Sequence, residues 1–246
     1  MCLESFQFKI PKSSRLRFIH RFQQISSPSL TTYQLVGFVW VELLMPSTRQ
    51  AEDTRTKILE TALELFHHGS FKGTSINLVV EKAGVTKGAL FHYFKGKNEL
   101  GYAVVDECIR QQILEYWVEP LATSVDPISD ILFILDRFQE MMAEQPEVIE
   151  CGCPLNNLSQ EMSAQDEEFR KRLLGLYELW QTALEKAFRA GIDAGNVKTE
   201  ADPKPTAAIL VALLEGSIGM IKVNRTAEHM AAIHEGLRIF LNLLRP

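Results

Sequence analysis

The sequence predicts an all-α fold, and three observations predict it. Apolar residues recur at three- and four-residue steps in the long segments, glycine and proline fall near their ends, and no stretch alternates with the two-residue period of a strand. Phe169, Leu173, Leu176, Tyr177, Trp180, Leu184, Ala187 and Phe188 form the clearest stripe. With 246 residues, 46% of them hydrophobic, the chain is long enough to bury a sizeable core in one or two domains.

The opening residues break this pattern. Pro11, Ser13-Ser14, Ser26-Ser27-Pro28-Ser29 and Thr31-Thr32 carry no sustained apolar period and no capped helix, so residues 1–48 are expected to form a disordered extension. Next comes a helix that Asp53 or Thr54 can cap, with a stripe of Ile58, Leu59, Ala62, Leu65 and Phe66 ending at Gly69.

Residues 74–94, TSINLVVEKAGVTKGALFHYF, then read as two short helices around a turn. Ile76, Val79, Val80 and Ala83 recur at helical spacing. Gly84 sits where the helix must stop and the backbone must take a positive φ. Thr86 can cap the second helix, whose Leu90 and Phe94 face back onto the first. The opposite face presents Lys87, Gly88, Ala89, Phe91, His92 and Tyr93, and residues 86–97 hold three lysines and no acid. Cations for phosphates, with rings and methyls for base edges, are what a recognition helix needs. Another helix opens at 97–100, so residues 49–100 are expected to form a three-helix helix-turn-helix DNA-binding domain.

The stretch from Thr54 to Leu100 resembles the N-terminal domain of the TetR/AcrR family of transcriptional regulators. The likeness rests on Thr54-Arg55, Leu65-Phe66, Gly69 before Phe71, Gly73-Thr74-Ser75, Ala83-Gly84-Val85, Lys87-Gly88, Tyr93-Phe94 and Lys97. Phe91 departs from it, standing where the family usually places tyrosine. The resemblance implies a repressor that binds a palindromic double-stranded DNA operator as a homodimer and is released by a small-molecule effector. Thr74, Ser75 and Lys97 would then anchor phosphates, while Thr86, Lys87, Gly88, Ala89, Phe91, His92 and Tyr93 lie against the major groove. It also makes Met45-Pro46-Ser47 a natural beginning, which leaves the preceding residues as either a basic arm or an upstream start.

Charge is divided along the chain. Residues 1–51 carry a net +4, residues 52–101 a net +1 and residues 102–246 a net −10, so the acidity lies in the C-terminal part, away from the phosphates. The apolar run Leu35 to Val41 is too short for a bilayer and meets Glu42, so no membrane partner is expected and a cytoplasmic location is.

Residues 101–246 are expected to form a C-terminal helical ligand-binding and dimerisation domain. Helices are predicted over Asp130 to Met142, ending at Gln145-Pro146, and up to the 190–196 region with Gly191 and Gly195. Pro203 and Pro205 lead into one from about Thr206 to Val223, and Thr226 caps a last one. Leu210, Val211, Leu213, Leu214, Ile218, Met220 and Ile221 wrap beyond one face, which calls for a second partner surface. The resemblance makes residues 206–244 the homodimer interface.

Phe133, Met141, Tyr177 and Trp180 belong to a Met-rich aromatic set that either fills a plain core or, as the resemblance implies, lines a pocket suited to apolar or planar ligands. Cys151-Gly152-Cys153-Pro154 resembles a segment at the start of a central helix in one subgroup of the family, some of whose members respond to electrophiles or oxidants. Cys153 there is either a space-filling core residue or a thiol made acidic by the helix N-terminus and by Lys222; Asn157 follows in the same helix. No metal is expected, because the four cysteines give no C-x-x-C pair and the histidines are dispersed. Nor is a cofactor or a catalytic residue, since no phosphate-binding glycine loop, nucleophile elbow or zinc-protease motif occurs.

Overall fold

The computed structural model describes residues 46–246, with side chains from Asp53 onward apart from those of residues 146–148. The expectation of a disordered extension therefore falls, for residues 1–45, outside the described residues; residues 46–48 are helical. Contacts divide the chain into Met1–Thr56 and Lys57–Pro246. Of the first unit, the described residues, 46–56, are helical.

Helix α1 spans Pro46–Gly69, so the expected start at Asp53 or Thr54 is corrected: both lie inside the helix. Proline in the first turn costs no hydrogen bond, because the N–H it lacks would have no intrahelical partner. Helix α2 spans Ile76–Ala83 and α3 spans Lys87–Tyr93. A continuous helical run, α4, follows as Lys97–Ala103, a π segment Val104–Ile109, Arg110–Ile113, a second π segment Leu114–Val118, and Glu119–Leu121. Then come α5 (Pro127–Glu144), α6 (Pro146–Cys151), α7 (Pro154–Met162), α8 (Glu167–Asp193), α9 (Pro203–Asn224) and α10 (Ala227–Asn242). No strand forms among the described residues.

Caps account for most of the boundaries. Asp126, Asp166, Asp202 and Thr226 each accept a hydrogen bond from a backbone N–H in the first turn of the helix they precede, worth about 1 kcal/mol apiece. Helix α8 is the axis of the body. Its stripe from Phe169 to Phe188 is buried as predicted, except for half-buried Tyr177, and it packs on α4, α5, α7 and α9. Gly191 does not end that helix: a β-carbon there would come within 2.7 Å of Pro127 and Val197, so α8 crosses the start of α5 at backbone range.

Helix α9 revises the membrane argument. It is long and apolar enough to cross a bilayer, with a mean hydropathy of 1.7 over an 18-residue window, and its apolar stretch Ala207–Leu214 exceeds Leu35–Val41. About a third of that window is buried. Ile209, Leu213, Met220 and Val223, with Gly216 between them, instead form one exposed ridge at helical spacing, and Ile239 of α10 and Leu243 just after it are exposed as well.

Candidate nucleic-acid interface

The turn between α2 and α3 follows from local chemistry. The Ser75 hydroxyl accepts from the Leu78 N–H at 3.1 Å to start α2, and Gly84 ends it at φ 61°, with its own N–H returned to the Glu81 carbonyl at 3.1 Å. Thr86 opens α3 by accepting from the Ala89 N–H at 3.1 Å. Val79, Ala83, Leu90 and Phe94 are buried between the two helices. That burial leaves Thr86, Lys87, Gly88, Phe91 and His92 exposed, with Ala89 and Tyr93 half-buried beside them. Phe91 is 43% exposed with Lys87 Nζ 5.9 Å from its ring centroid, and the His92 and Tyr93 rings meet edge to face at 4.9 Å. Five of the seven residues expected at a major groove are thus exposed, and Gly88, Phe91 and His92 among them lie on the side of α3 away from Leu90.

Two of the expected phosphate anchors are placed differently. Thr74 is 3% exposed, and its hydroxyl is directed at the carbonyls of Ser70 (2.8 Å) and Leu65 (3.1 Å), so it closes the end of α1; the anchor role is corrected. Lys97 is half-buried. Its Nζ donates to the Lys72 carbonyl at 3.1 Å and sits 4.7 Å from the Phe71 ring centroid, and burial holds its pKa below the ordinary lysine range against the pull of Glu161. Ser75 is exposed beyond its capping bond, and Lys95, whose side chain is 89% exposed with only a loose 3.9 Å pairing to Glu99, is the more accessible cation.

A joint absent from the sequence reading links this unit to the helices behind it. The Glu161 carboxylate at the end of α7 accepts from both the Phe71 N–H (2.8 Å) and the Lys72 N–H (2.7 Å). Phe66, Phe71, Phe169 and Tyr102 make an edge-to-face chain with centroids 4.8–5.0 Å apart. Asp166, which caps α8, also accepts from Tyr102 Oη at 2.8 Å and from Asn98 at 3.3 Å. On the other side, His67 Nε2 bonds the Gly152 carbonyl at 2.7 Å and Cys151 Sγ lies 3.0 Å from His68 Nδ1. Burial drives the His67 pKa down to about 4, so its ring is neutral and donates to that carbonyl.

The expected effector residues do not gather into one lining. Phe133 is 66% exposed on α5 and is withdrawn from any pocket; Met141 is half-buried near the end of the same helix. Trp180 is buried with its ring 4.8 Å from that of Trp117. Asn157 and Lys222 both donate to the Cys151 carbonyl, at 2.7 and 3.1 Å, and so staple the corner at Gly152, where φ is 74°. Cys153 does precede the first turn of α7, with Pro154 next, as expected. Its acidity is corrected: burial first, then the neighbouring Glu215 carboxyl, push the thiol far above its ordinary range, outweighing the helix N-terminus, and Lys222 points elsewhere. Glu215, one acid inside the apolar run of α9, was the signal that sequence reading passed over.

Comparison with known proteins agrees with this geometry. Residues 58–104 match the family described as bacterial regulatory proteins, tetR family, and residues 127–237 match the tetracyclin repressor-like C-terminal domain. An uncharacterized HTH-type transcriptional regulator in the lacX 3'region of Lactococcus lactis subsp. lactis is 29% identical over 178 residues, 70% of this chain and 85% of that protein. The HTH-type transcriptional repressor DhaR of Mycobacterium sp. strain GP1 is 25% identical over 177 residues, 71% of this chain and 85% of its own. The crystal structure of a TetR transcriptional regulator from Chloroflexus aurantiacus J-10-FL superposes with a TM-score of 0.70 at 24% identity, covering 80% of this chain and 98% of that one. The helix-turn-helix and the helical body behind it are thus each matched by a family model, and the protein belongs to the tetR family of bacterial transcriptional regulators, which are not enzymes.

Proposed function

We propose that the chain is a cytoplasmic repressor that binds an inverted-repeat operator as a homodimer and is released by a small-molecule effector. The observation that carries this reading is the face of α3: Thr86, Lys87, Gly88, Phe91 and His92 stand clear while Leu90 and Phe94 hold the helix down. Residues 49–100 serve as the DNA-binding domain and residues 101–246 as the effector and dimerisation domain. Selecting duplexes from a randomised library with the purified protein tests the reading. The expected product is an inverted repeat whose affinity falls steeply with salt, because bound cations displace counterions; a selected pool with no repeat, or no duplex retained at low ionic strength, sinks it.

Side-chain roles divide within that surface. Lys87→Ala or His92→Ala is expected to change which bases are selected at one position of each half-site, at about 1–3 kcal/mol. Lys95→Ala is expected to weaken all duplexes alike and to lower the salt slope by about one, because its side chain is 89% exposed beside the recognition helix. A change of base preference in the Lys95 variant would contradict this division.

The exposed ridge of α9 supports the dimer reading. Ile209, Leu213, Met220 and Val223 follow one helical face, and a β-carbon at Gly216 would meet open space, so a second copy has room to approach. A two-fold pairing of this face sets two recognition helices at a fixed spacing, as a palindrome demands. The double variant Leu213→Asp with Met220→Asp should therefore run as a monomer in light scattering and lose paired half-site binding. A dimer of unchanged mass would place the interface elsewhere.

A further inference from the structure

At the head of α7 a buried carboxyl lacks half of its partners. Glu215 is 7% exposed, flanked in sequence by Leu213, Leu214 and Ile218. Its Oε1 accepts from the Cys153 thiol at 3.3 Å, while Oε2 meets no hydrogen-bond partner among the described residues. Lys222, two turns further along α9, does not neutralise it, because its Nζ donates to the Cys151 carbonyl. Tyr177 faces the same seam from α8, its hydroxyl in hydrogen-bond contact with Ser159 and its pKa raised to about 12 by burial, then by Glu215. One turn on, Trp180 Nε1 is also buried with no hydrogen-bond partner among the described residues, its ring lying against Trp117 of α4. Folded proteins rarely leave such atoms unmet, and an uncompensated carboxylate in an apolar seam is the costlier of the two.

We propose that the seam between the head of α7 and the middle of α9 is the effector site, that Glu215 is its polar anchor, and that it takes a small organic cation. The proposal rests on the reading of the chain as an effector-released regulator. A cation supplies both the missing donor and the missing charge, and the Tyr177 ring on the same seam favours it further through its π face. A neutral donor would satisfy Oε2 but leave the charge uncompensated, and an anion would be repelled. The site is also placed to act at a distance. Cys153 at the start of α7 and Glu161 at its end are eight residues apart, about 12 Å along the helix. A ligand that parts α7 from α9 therefore moves the carboxylate that grips Phe71 and Lys72 behind the recognition unit.

The test titrates the full-length protein with phenethylamine and benzyltrimethylammonium, and with 2-phenylethanol and 3-phenylpropanoate as neutral and anionic counterparts. Binding is read by calorimetry and tryptophan fluorescence, with retention of the selected duplex measured on the same preparation. The cations are expected to bind and to release duplex, and Glu215→Gln, checked for folding by circular dichroism, should weaken them roughly ten- to a hundredfold. Binding of the alcohol, which has no charge to pair, should change by much less, within a few-fold. No cation bound while duplex is retained, equal affinity for the carboxylate or the alcohol, or cation binding unchanged in Glu215→Gln would each overturn the site. Failure of the wild-type protein to retain duplex at low ionic strength would instead sink the regulator reading itself.

Discussion

Replacing Phe169 by alanine should destabilise the protein by about 3–5 kcal/mol, the usual cost of deleting a buried aromatic ring. Phe169 has no solvent exposure and its ring stands between Phe71 of the recognition unit and Tyr102 of α4. The neighbourhood has little freedom to close over the gap. At Gly101 a β-carbon would lie 2.6 Å from both Phe169 and Phe71, so the backbone of α4 already packs directly against the two rings. Loss of the ring removes the shared wall on which the helix-turn-helix and the body meet. The expected signature is a drop in melting temperature of roughly 10 °C, with hydrogen exchange rising first at the amides of residues 57–100. A loss under about 1 kcal/mol, within the range of ordinary substitutions, would mean that the Glu161 and Asp166 hydrogen bonds carry the joint without the aromatic chain.

What the sequence revealed and what it hid differ in range along the chain. Gly84, Ser75 and Thr86 mark the helix-turn-helix because their demands are local: one positive φ and two hydroxyl caps settle the turn. The stripe of α8 was legible for the same reason, since burial on one face of a 27-residue helix imposes its own period. The start of α1 was misplaced because Asp53 and Thr54 are of capping type yet lie in a segment with no breaker before Pro46. Thr74 looked like a phosphate ligand by position, but its hydroxyl is taken up by α1 carbonyls a few residues back. The π segments of α4 leave no compositional mark. Harder still were pairs distant in sequence: Glu161 grips backbone 89 and 90 residues away, and Cys153 meets Glu215 across 62 residues. Local chemistry at the head of α7 favoured an acidic thiol, and it is burial in the tertiary fold, with Glu215 adding to it, that reverses the sign.

Glu215 should also govern how stability depends on pH. Burial raises its pKa from the ordinary 4.5 to about 7, with the Cys153 thiol pulling slightly the other way. Between pH 4.5 and 7 the folded chain keeps a proton that the unfolded chain releases, so stability falls as pH rises through that window. The full cost, about 3 kcal/mol, is present above about pH 7. His67 works in the opposite direction. Its pKa is lowered from 6.5 to about 4, so below pH 6.5 the unfolded chain takes up a proton that the folded chain refuses, and stability is lost as pH falls. In the wild-type protein the two slopes offset each other between pH 4.5 and 6.5. Glu215→Gln removes one of them: above pH 7 it should be more stable than wild type by about 1–3 kcal/mol, the amide keeping an acceptor for the Cys153 thiol at the cost of a buried donor. Below pH 6.5 the same variant should expose the His67 slope and lose stability with acid. His67→Gln, with Glu215 intact, should show the reverse, gaining stability as pH falls from 7 to 4.5. Urea melts of the three proteins across that range decide the matter, and parallel pH profiles for wild type and Glu215→Gln would mean that the carboxyl is solvated in solution and carries no buried charge.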